Sequence, residues 1–123
     1  MVDQPEISVI VPTHDRCEQL RACLDSLERQ TMRPDTFEVV VVIDGSTDGT
    51  SEMLTEGRRR LSLTVVDQAR RGASAARNAG AQRARAPVLL FIDDDVVASP
   101  SLVAAHLNIH RARSGLVGIG QID

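Results

Sequence analysis

The sequence predicts an α/β domain built on a mainly parallel sheet with helices on both faces. Strand-like and helix-like runs alternate four times with short connectors, the pattern of successive right-handed βαβ units. The strand-like runs are nearly continuous in Val and Ile, as burial on both faces of a parallel sheet requires. Three of them also run into polar loops, and in open sheets of this kind the carboxyl ends of the strands are where ligands bind.

Glu6 to Pro12 is unbroken and β-branched, hence the first buried strand, and Thr13-His14-Asp15-Arg16 is the loop at its carboxyl end. Asp15 with Glu18 three residues on forms a capping-box-like start, and Cys17, Leu20, Leu24 and Leu27 then recur at helical spacing to about Gln30 and Thr31. Two readings of Asp15 stay open: a helix cap, or a ligand group at a strand end. Arg33-Pro34-Asp35 turns the chain into a second buried strand, Phe37 to Ile43, which delivers Asp44 to the loop Gly45-Ser46-Thr47-Asp48-Gly49-Thr50. Ser46 or Asp48 caps the next helix, roughly Thr50 to Arg59, with Met53 and Leu54 inward. Leu61 to Val66 is a third, shorter strand, and Gln68 to Gly72 a polar loop.

Ala73 to Ala81 is a helix of small residues, a composition that lets a helix lie close on a sheet. Arg77 and Asn78 stand near its N-terminal end, where a positive helix end and an Arg fork both favour anions. After Pro87, Val88-Leu-Leu-Phe-Ile92 reads as a strand buried on both faces that runs straight into Asp93, Asp94 and Asp95. Ser99-Pro100, an N-cap with Pro at the first helical position, opens a last helix to about Arg113 that carries Leu102, Ala105, Leu107 and Ile109. Gly115 to Ile122 is again strand-like with no helix after it, so the 123 residues read as a chain cut inside a larger fold. An edge or face left open by the missing part would favour self-association.

Composition removes several function classes. A net charge of −3, no basic stripe and only two aromatics, Phe37 and Phe91, argue against nucleic-acid binding by phosphate neutralisation or base stacking. All 14 basic residues are Arg, which excludes a P-loop lysine and a Schiff-base lysine. No Gly-x-Gly-x-x-Gly follows the first strand, against a dinucleotide site. Cys17 and Cys23 lie on different faces of one helix and are read as core filler in a reduced, cytoplasmic protein. No apolar run reaches the ~18 residues of a membrane span; a peripheral place on the inner face of a membrane is compatible with this. His106 and His110 have zinc-binding spacing but no third ligand, and read as solvated or packing histidines. Arg58-Arg59-Arg60 reads as a solvated helix end.

Three adjacent carboxylates repel one another unless a cation or a donor-rich ligand offsets them. Hard cations such as Mg²⁺ or Mn²⁺ take one or two carboxylates plus phosphate oxygens, which points to a metal-bridged phosphate ligand. The plain alternative is an acidic, solvated turn. Convergence of Thr13 to Arg16, Asp44 to Thr50 and Asp93 to Asp95 on one sheet edge favours the ligand site, and a lone acid plus a metal cluster suits a nucleoside diphosphate.

Four stretches carry a resemblance: Ile7-Ser-Val-Ile-Val-Pro-Thr-His-Asp-Arg16, Glu38-Val-Val-Val-Val-Ile-Asp-Gly-Ser-Thr-Asp-Gly-Thr50, Gly72-Ala-Ser-Ala-Ala-Arg-Asn-Ala-Gly80 and Leu90-Phe-Ile-Asp-Asp-Asp-Val-Val-Ala-Ser-Pro100. In order and together they resemble family 2 glycosyltransferases of the GT-A fold, a Rossmann-like architecture. The resemblance implies that residues 1–123 are the nucleotide-sugar-binding half of such a domain, transferring sugar from a nucleoside diphosphate sugar, UDP by likeness, to an acceptor hydroxyl of a glycan, lipid or small molecule, with inversion. It implies that Pro12, Thr13 and Asp15 line the nucleoside pocket, that Asp44 accepts from the base and that Arg77 supports the donor site. Asp93 and Asp94 would lie by the ribose and metal, with Asp95 and Asp93 as ligands of Mg²⁺ or Mn²⁺. The sequence departs from the family where Ile43 replaces the first of two acids and His14-Asp15 replaces a common Tyr-Asn. The family's catalytic base is expected beyond residue 123. Two alternatives accompany this reading: a non-catalytic nucleotide-sugar-binding module, and a haloacid-dehalogenase-like phosphatase with Asp93 as nucleophile and Asp95 as general acid, for which the downstream cation and second acidic pair are wanting.

Overall fold

The computed structural model describes residues 4–56 and 60–115. The elements are β1 (Ile7–Thr13), α1 (Cys17–Glu28), β2 (Phe37–Asp44), α2 (Thr50–Glu56), β3 (Ser62–Gln68), α3 (Ala73–Arg83), β4 (Val88–Phe91) and α4 (Leu102–Gly115). The four strands pair in the order β3-β2-β1-β4, each pairing parallel. The chain therefore winds outward from β1 to β3, then crosses back to place β4 on the other side of β1.

Alternation along β1 and β2 sorts their side chains onto two faces. Ile7, Val9 and Val11 with Phe37, Val39, Val41 and Ile43 meet Leu20, Leu24 and Leu27 of α1, Met53 and Leu54 of α2, and Val103 and Leu107 of α4. Burying a side chain of this size contributes about 2 kcal/mol, so this face carries most of the apolar stabilisation. The opposite face meets α3, where Val40 and Val42 pack on Ala76 and Ala79. At Gly80 a Cβ would stand 2.5 Å from Ile10 Cγ2 and 3.1 Å from Val42 Cγ2. The small residues of α3 are thus what brings helix and sheet together.

The α3-facing row of β2 reads Glu38, Val40, Val42, Asp44, an acid at each end of two valines. Glu38 is 1% exposed. Its carboxylate accepts from Ser8 Oγ (2.6 Å), the Arg85 amide (2.7 Å) and Arg85 Nε (3.1 Å), and Ser8 Oγ accepts from the Ala86 amide (3.2 Å). This satisfies a buried charge and ties the segment leaving α3 to the amino end of the sheet. Asp44 ties the segment entering α3, as described below.

Several expectations need correction. β4 is not buried on both faces: Val88 to Leu90 are half-buried and Phe91 is 43% exposed. Among the described residues it is an edge strand, which an apolar run cannot reveal because pairing is a long-range property. The run Gly115 to Ile122 lies outside the described residues except for Gly115, the last residue of α4; Arg58 and Arg59 lie outside them too. Helix α1 is not capped by Asp15; its cap position is Arg16, without a side-chain bond of its own. Helix α4 begins two residues after Pro100, where Gln30 Oε1 accepts the Val103 amide at 3.0 Å and Gln30 Nε2 donates to the Ser99 carbonyl at 2.7 Å. Its inward residues are Val103 and Leu107, four apart, whereas Ala105 and Ile109 are exposed.

Candidate active site

Where the winding reverses, the carboxyl ends of β1 and β4 lie side by side and open a crevice of the kind in which open α/β sheets hold ligands. A cleft of about 470 Å³ occupies it. Pro12, Thr13, Asp44, Arg77, Asp93, Asp94 and Asp95, all singled out from the sequence, line this cleft; Asp15 does not. His14, Arg16, Arg70, Ala73 and Ala76 line it as well.

The three aspartates are not equivalent. The Val96 amide donates to the Asp93 carbonyl at 3.1 Å, closing a turn with Asp94 and Asp95 at its centre. The turn sends Asp94 inward, 6% exposed, and leaves Asp93 and Asp95 exposed. Thr13 Oγ1 donates to Asp94 Oδ2 at 2.8 Å, joining the end of β1 to the end of β4. Arg16 Nη1 lies 3.5 Å from Asp94 Oδ1 and 3.7 Å from Asp95 Oδ2. Burial pushes the Asp94 carboxyl above its ordinary range; Thr13 and Arg16 pull against this, and the Asp95 and Asp93 charges add to it.

Helix α1 holds this turn from behind. The Cys23 thiol lies 3.9 Å from the Asp93 carbonyl. Ser26 Oγ, buried, donates to the Cys23 carbonyl at 2.6 Å and accepts the Ala98 amide at 2.9 Å. The Thr31 amide donates to the Pro100 carbonyl at 2.7 Å. Residues from Asp93 to Val103 are thus fastened along α1 and the turn that follows it, which fixes where the acids stand.

The loops after β1 and β2 are clasped together. Asp15 has φ +50°, a conformation that Asp tolerates better than most residues. Its amide donates to Ser46 Oγ at 2.9 Å, and its Oδ1 accepts the Thr47 amide at 2.7 Å. His14 Nδ1 donates to the Asp44 carbonyl at 2.8 Å, and its Nε2 lies 3.3 Å from Asp15 Oδ2. Asp48 Oδ2 accepts the Cys17 amide at 2.9 Å and its Oδ1 accepts the Thr50 amide at 3.2 Å, with the Thr50 hydroxyl on the same oxygen. One carboxylate therefore caps α1 from a distant loop and begins α2 locally. These bonds, the Thr50 hydroxyl foremost, outweigh burial and hold the Asp48 carboxyl below its ordinary range.

Asp44, 4% exposed, is almost fully engaged by the protein. Its Oδ1 accepts from Gln68 Nε2 (3.0 Å) and the Arg71 amide (2.7 Å), and its Oδ2 from the Gly72 amide (2.9 Å), with Arg70 Nε 3.9 Å away. Burial pushes its carboxyl up, but these donors and the Arg70 charge win and hold it below the ordinary range. A carboxylate has about four lone-pair sites, so Asp44 keeps room for one more donor at the cleft.

The resulting cleft is polar in arrangement: Asp93, Asp94 and Asp95 on the β4 side, Arg70 and Arg77 on the side of α3, whose first turn also lines it. An anion bound with a divalent cation matches both walls. No group of three His, Cys, Asp or Glu side chains converges among the described residues. Asp93 and Asp95 are hard oxygen donors on the exposed side of one turn, so they fit an ion shared with ligand phosphates, not an ion caged by protein. Arg16 was present in the sequence only as a loop residue beside an acid, and Arg70 had no local signal, because its place depends on Asp44 capturing the segment before α3.

A family model described as glycosyl transferase family 2 matches residues 8–121. Validoxylamine A glucosyltransferase of Streptomyces hygroscopicus subsp. limoneus is 43% identical over 108 residues, 86% of this chain and 24% of that protein. The crystal structure of S. aureus TarS 1-349 in complex with UDP superposes with a TM-score of 0.81 at 30% identity, covering 89% of this chain and 33% of that one. The mannosyltransferase PcManGT from Pyrobaculum calidifontis, in complex with GDP-Man and Mn²⁺, gives 0.75 at 31% identity, covering 86% and 32%. The chain thus spans about a quarter to a third of the length of these relatives.

Proposed function

The chain belongs to glycosyl transferase family 2, and on that premise we propose that the cleft is the donor site of a metal-dependent, inverting glycosyltransferase that binds a nucleoside diphosphate sugar. The observation that carries this is the convergence of the β1, β2 and β4 ends on one cleft, with Asp93, Asp94 and Asp95 beside Arg16 at the β4 end and Arg70 and Arg77 toward α3. The relatives with UDP and with GDP-Man and Mn²⁺ support a nucleoside diphosphate and a divalent ion; UDP is the proposed nucleotide. The phosphatase reading falls with the family assignment.

In this proposal Pro12, Thr13 and His14 bound the nucleoside end, and Asp44 offers its remaining acceptor site to a donor group of the base. Arg77 and the first turn of α3 face the diphosphate, where a positive helix end stabilises negative charge. Asp95, with Asp93, holds Mg²⁺ or Mn²⁺, which supplies Lewis-acid stabilisation of the departing diphosphate. Asp94 is turned inward onto Thr13 and keeps the turn in register. The acceptor hydroxyl attacks the anomeric carbon as the bond to the diphosphate breaks, and its proton passes to a base that no residue of this chain is assigned to be.

Calorimetric titration of UDP with and without Mn²⁺, on this chain and on Asp95→Ala, tests the reading. UDP affinity should rise with Mn²⁺ for the parent chain and lose most of that rise in the variant. Affinity independent of the metal and unchanged by the substitution would sink it.

A further inference from the structure

We infer that Arg16 is a resident counter-ion of the acidic turn, displaced from Asp95 by the divalent cation and then available to the diphosphate, so that metal entry is coupled to arrival of the anion. This rests on the donor-site reading above. Arg16 Nη1 stands between Asp94 Oδ1 at 3.5 Å and Asp95 Oδ2 at 3.7 Å. Arg70, by contrast, faces Asp44.

The two ends of this bridge differ. Asp94 is buried and already held by Thr13, whereas the Asp95 and Arg16 side chains are 55% and 51% exposed. Asp95 is therefore the partner that can change. A guanidinium and a divalent ion at the same carboxylate oxygen repel each other, so the ion binds Asp95 in its best geometry only when Arg16 moves off. Arg16 sits at the start of α1, on the cleft wall, with a long flexible stem. Once released it presents a planar fork to the cleft, which matches phosphate oxygens. An anion in the cleft thereby favours release of Arg16, and release favours the metal. By linkage the two ligands raise each other's affinity by the same factor.

The test is Mn²⁺ titration followed by the free-ion electron paramagnetic resonance signal, with Mn²⁺ alone and in the presence of UDP, on the parent chain, Arg16→Gln, Arg16→Lys and Asp95→Ala. Exposed ion pairs have modest worth, so Arg16→Gln should bind Mn²⁺ alone about threefold more tightly than the parent, while the factor by which UDP tightens Mn²⁺ shrinks. Arg16→Lys should stay near the parent with Mn²⁺ alone. Mn²⁺ binding by Arg16→Gln no tighter than by the parent would overturn the counter-ion role, while loss of binding in Asp95→Ala left the donor site standing. Mn²⁺ binding untouched in Asp95→Ala would overturn both.

Discussion

Replacing Asp44 by Asn keeps the shape of the side chain and removes half of its acceptors. The carboxylate now accepts the Arg71 amide and Gln68 on one oxygen and the Gly72 amide on the other. Asn can satisfy one side only, and its amide group then abuts an N–H. A buried donor left unpaired costs about 1–3 kcal/mol, and the surviving bonds lose charge assistance worth about 1 kcal/mol. A total near 3 kcal/mol is a large part of the roughly 5–15 kcal/mol that holds a small domain. Urea unfolding at pH 7 measures it, and UDP titration should weaken in parallel, since the freed segment carries Arg70 and leads into α3. The sign of the pH dependence follows from the direction of the shift. The folded carboxyl lies below its unfolded value of about 3.9, so its stabilisation is complete above that value and is lost as pH falls through the folded one. The gap between parent and Asp44→Asn should therefore close below about pH 4. A cost under about 1 kcal/mol at pH 7, or a gap that persists into acid, would refute the account.

Two further substitutions probe the supports of the cleft. Gly80→Ala places a Cβ 2.5 Å from Ile10 Cγ2; overpacking of about 1–3 kcal/mol should exceed the ~1 kcal/mol gain in helix propensity, and a rise in the urea midpoint would contradict the close approach of α3. Ser26→Ala strips the Ala98 amide of its acceptor and should cost about 1–2 kcal/mol, with weaker Mn²⁺-dependent UDP binding because the acidic turn loses a fastening. Stability unchanged within about 0.5 kcal/mol would show that α1 does not hold that segment.

The strands of the sheet centre were legible because β1 and β2 carry apolar residues toward both faces, with Ser8 and Glu38 the polar exceptions near their amino ends, and each of their carboxyl ends carries a polar loop. β4 shows where that legibility stops. Its apolar run resembles β2, yet among the described residues it stands at an edge, since which strand ends up between which others is decided by the crossover and not by local composition. Asp15 failed as a cap for a related reason: the donor-acceptor partner of the α1 start is Asp48, thirty-one residues away. The site acids could be found as a pattern. The division of labour among them, with Asp94 inward and its neighbours outward, follows from the turn closed by Val96 and from Thr13, neither of which has a signature in sequence. In α4 the sequence pointed to Leu107, which is buried, and also to Ala105 and Ile109, which are exposed; Gln30, just after α1, meets the start of that helix, and Val103 shares the inward face with Leu107.

The row Glu38-Val40-Val42-Asp44 acts on α3 as a ruler. Arg71 and Gly72 are caught at one graduation and Arg85 at the other, so the number of residues between them is dictated by the length of strand beneath. One residue added to the helix would advance an end by about 1.5 Å and turn it by roughly 100°, and one of the two acids would then miss its mark. This crossover is therefore not free to grow, and the position of Arg77 is inherited from that fixed span.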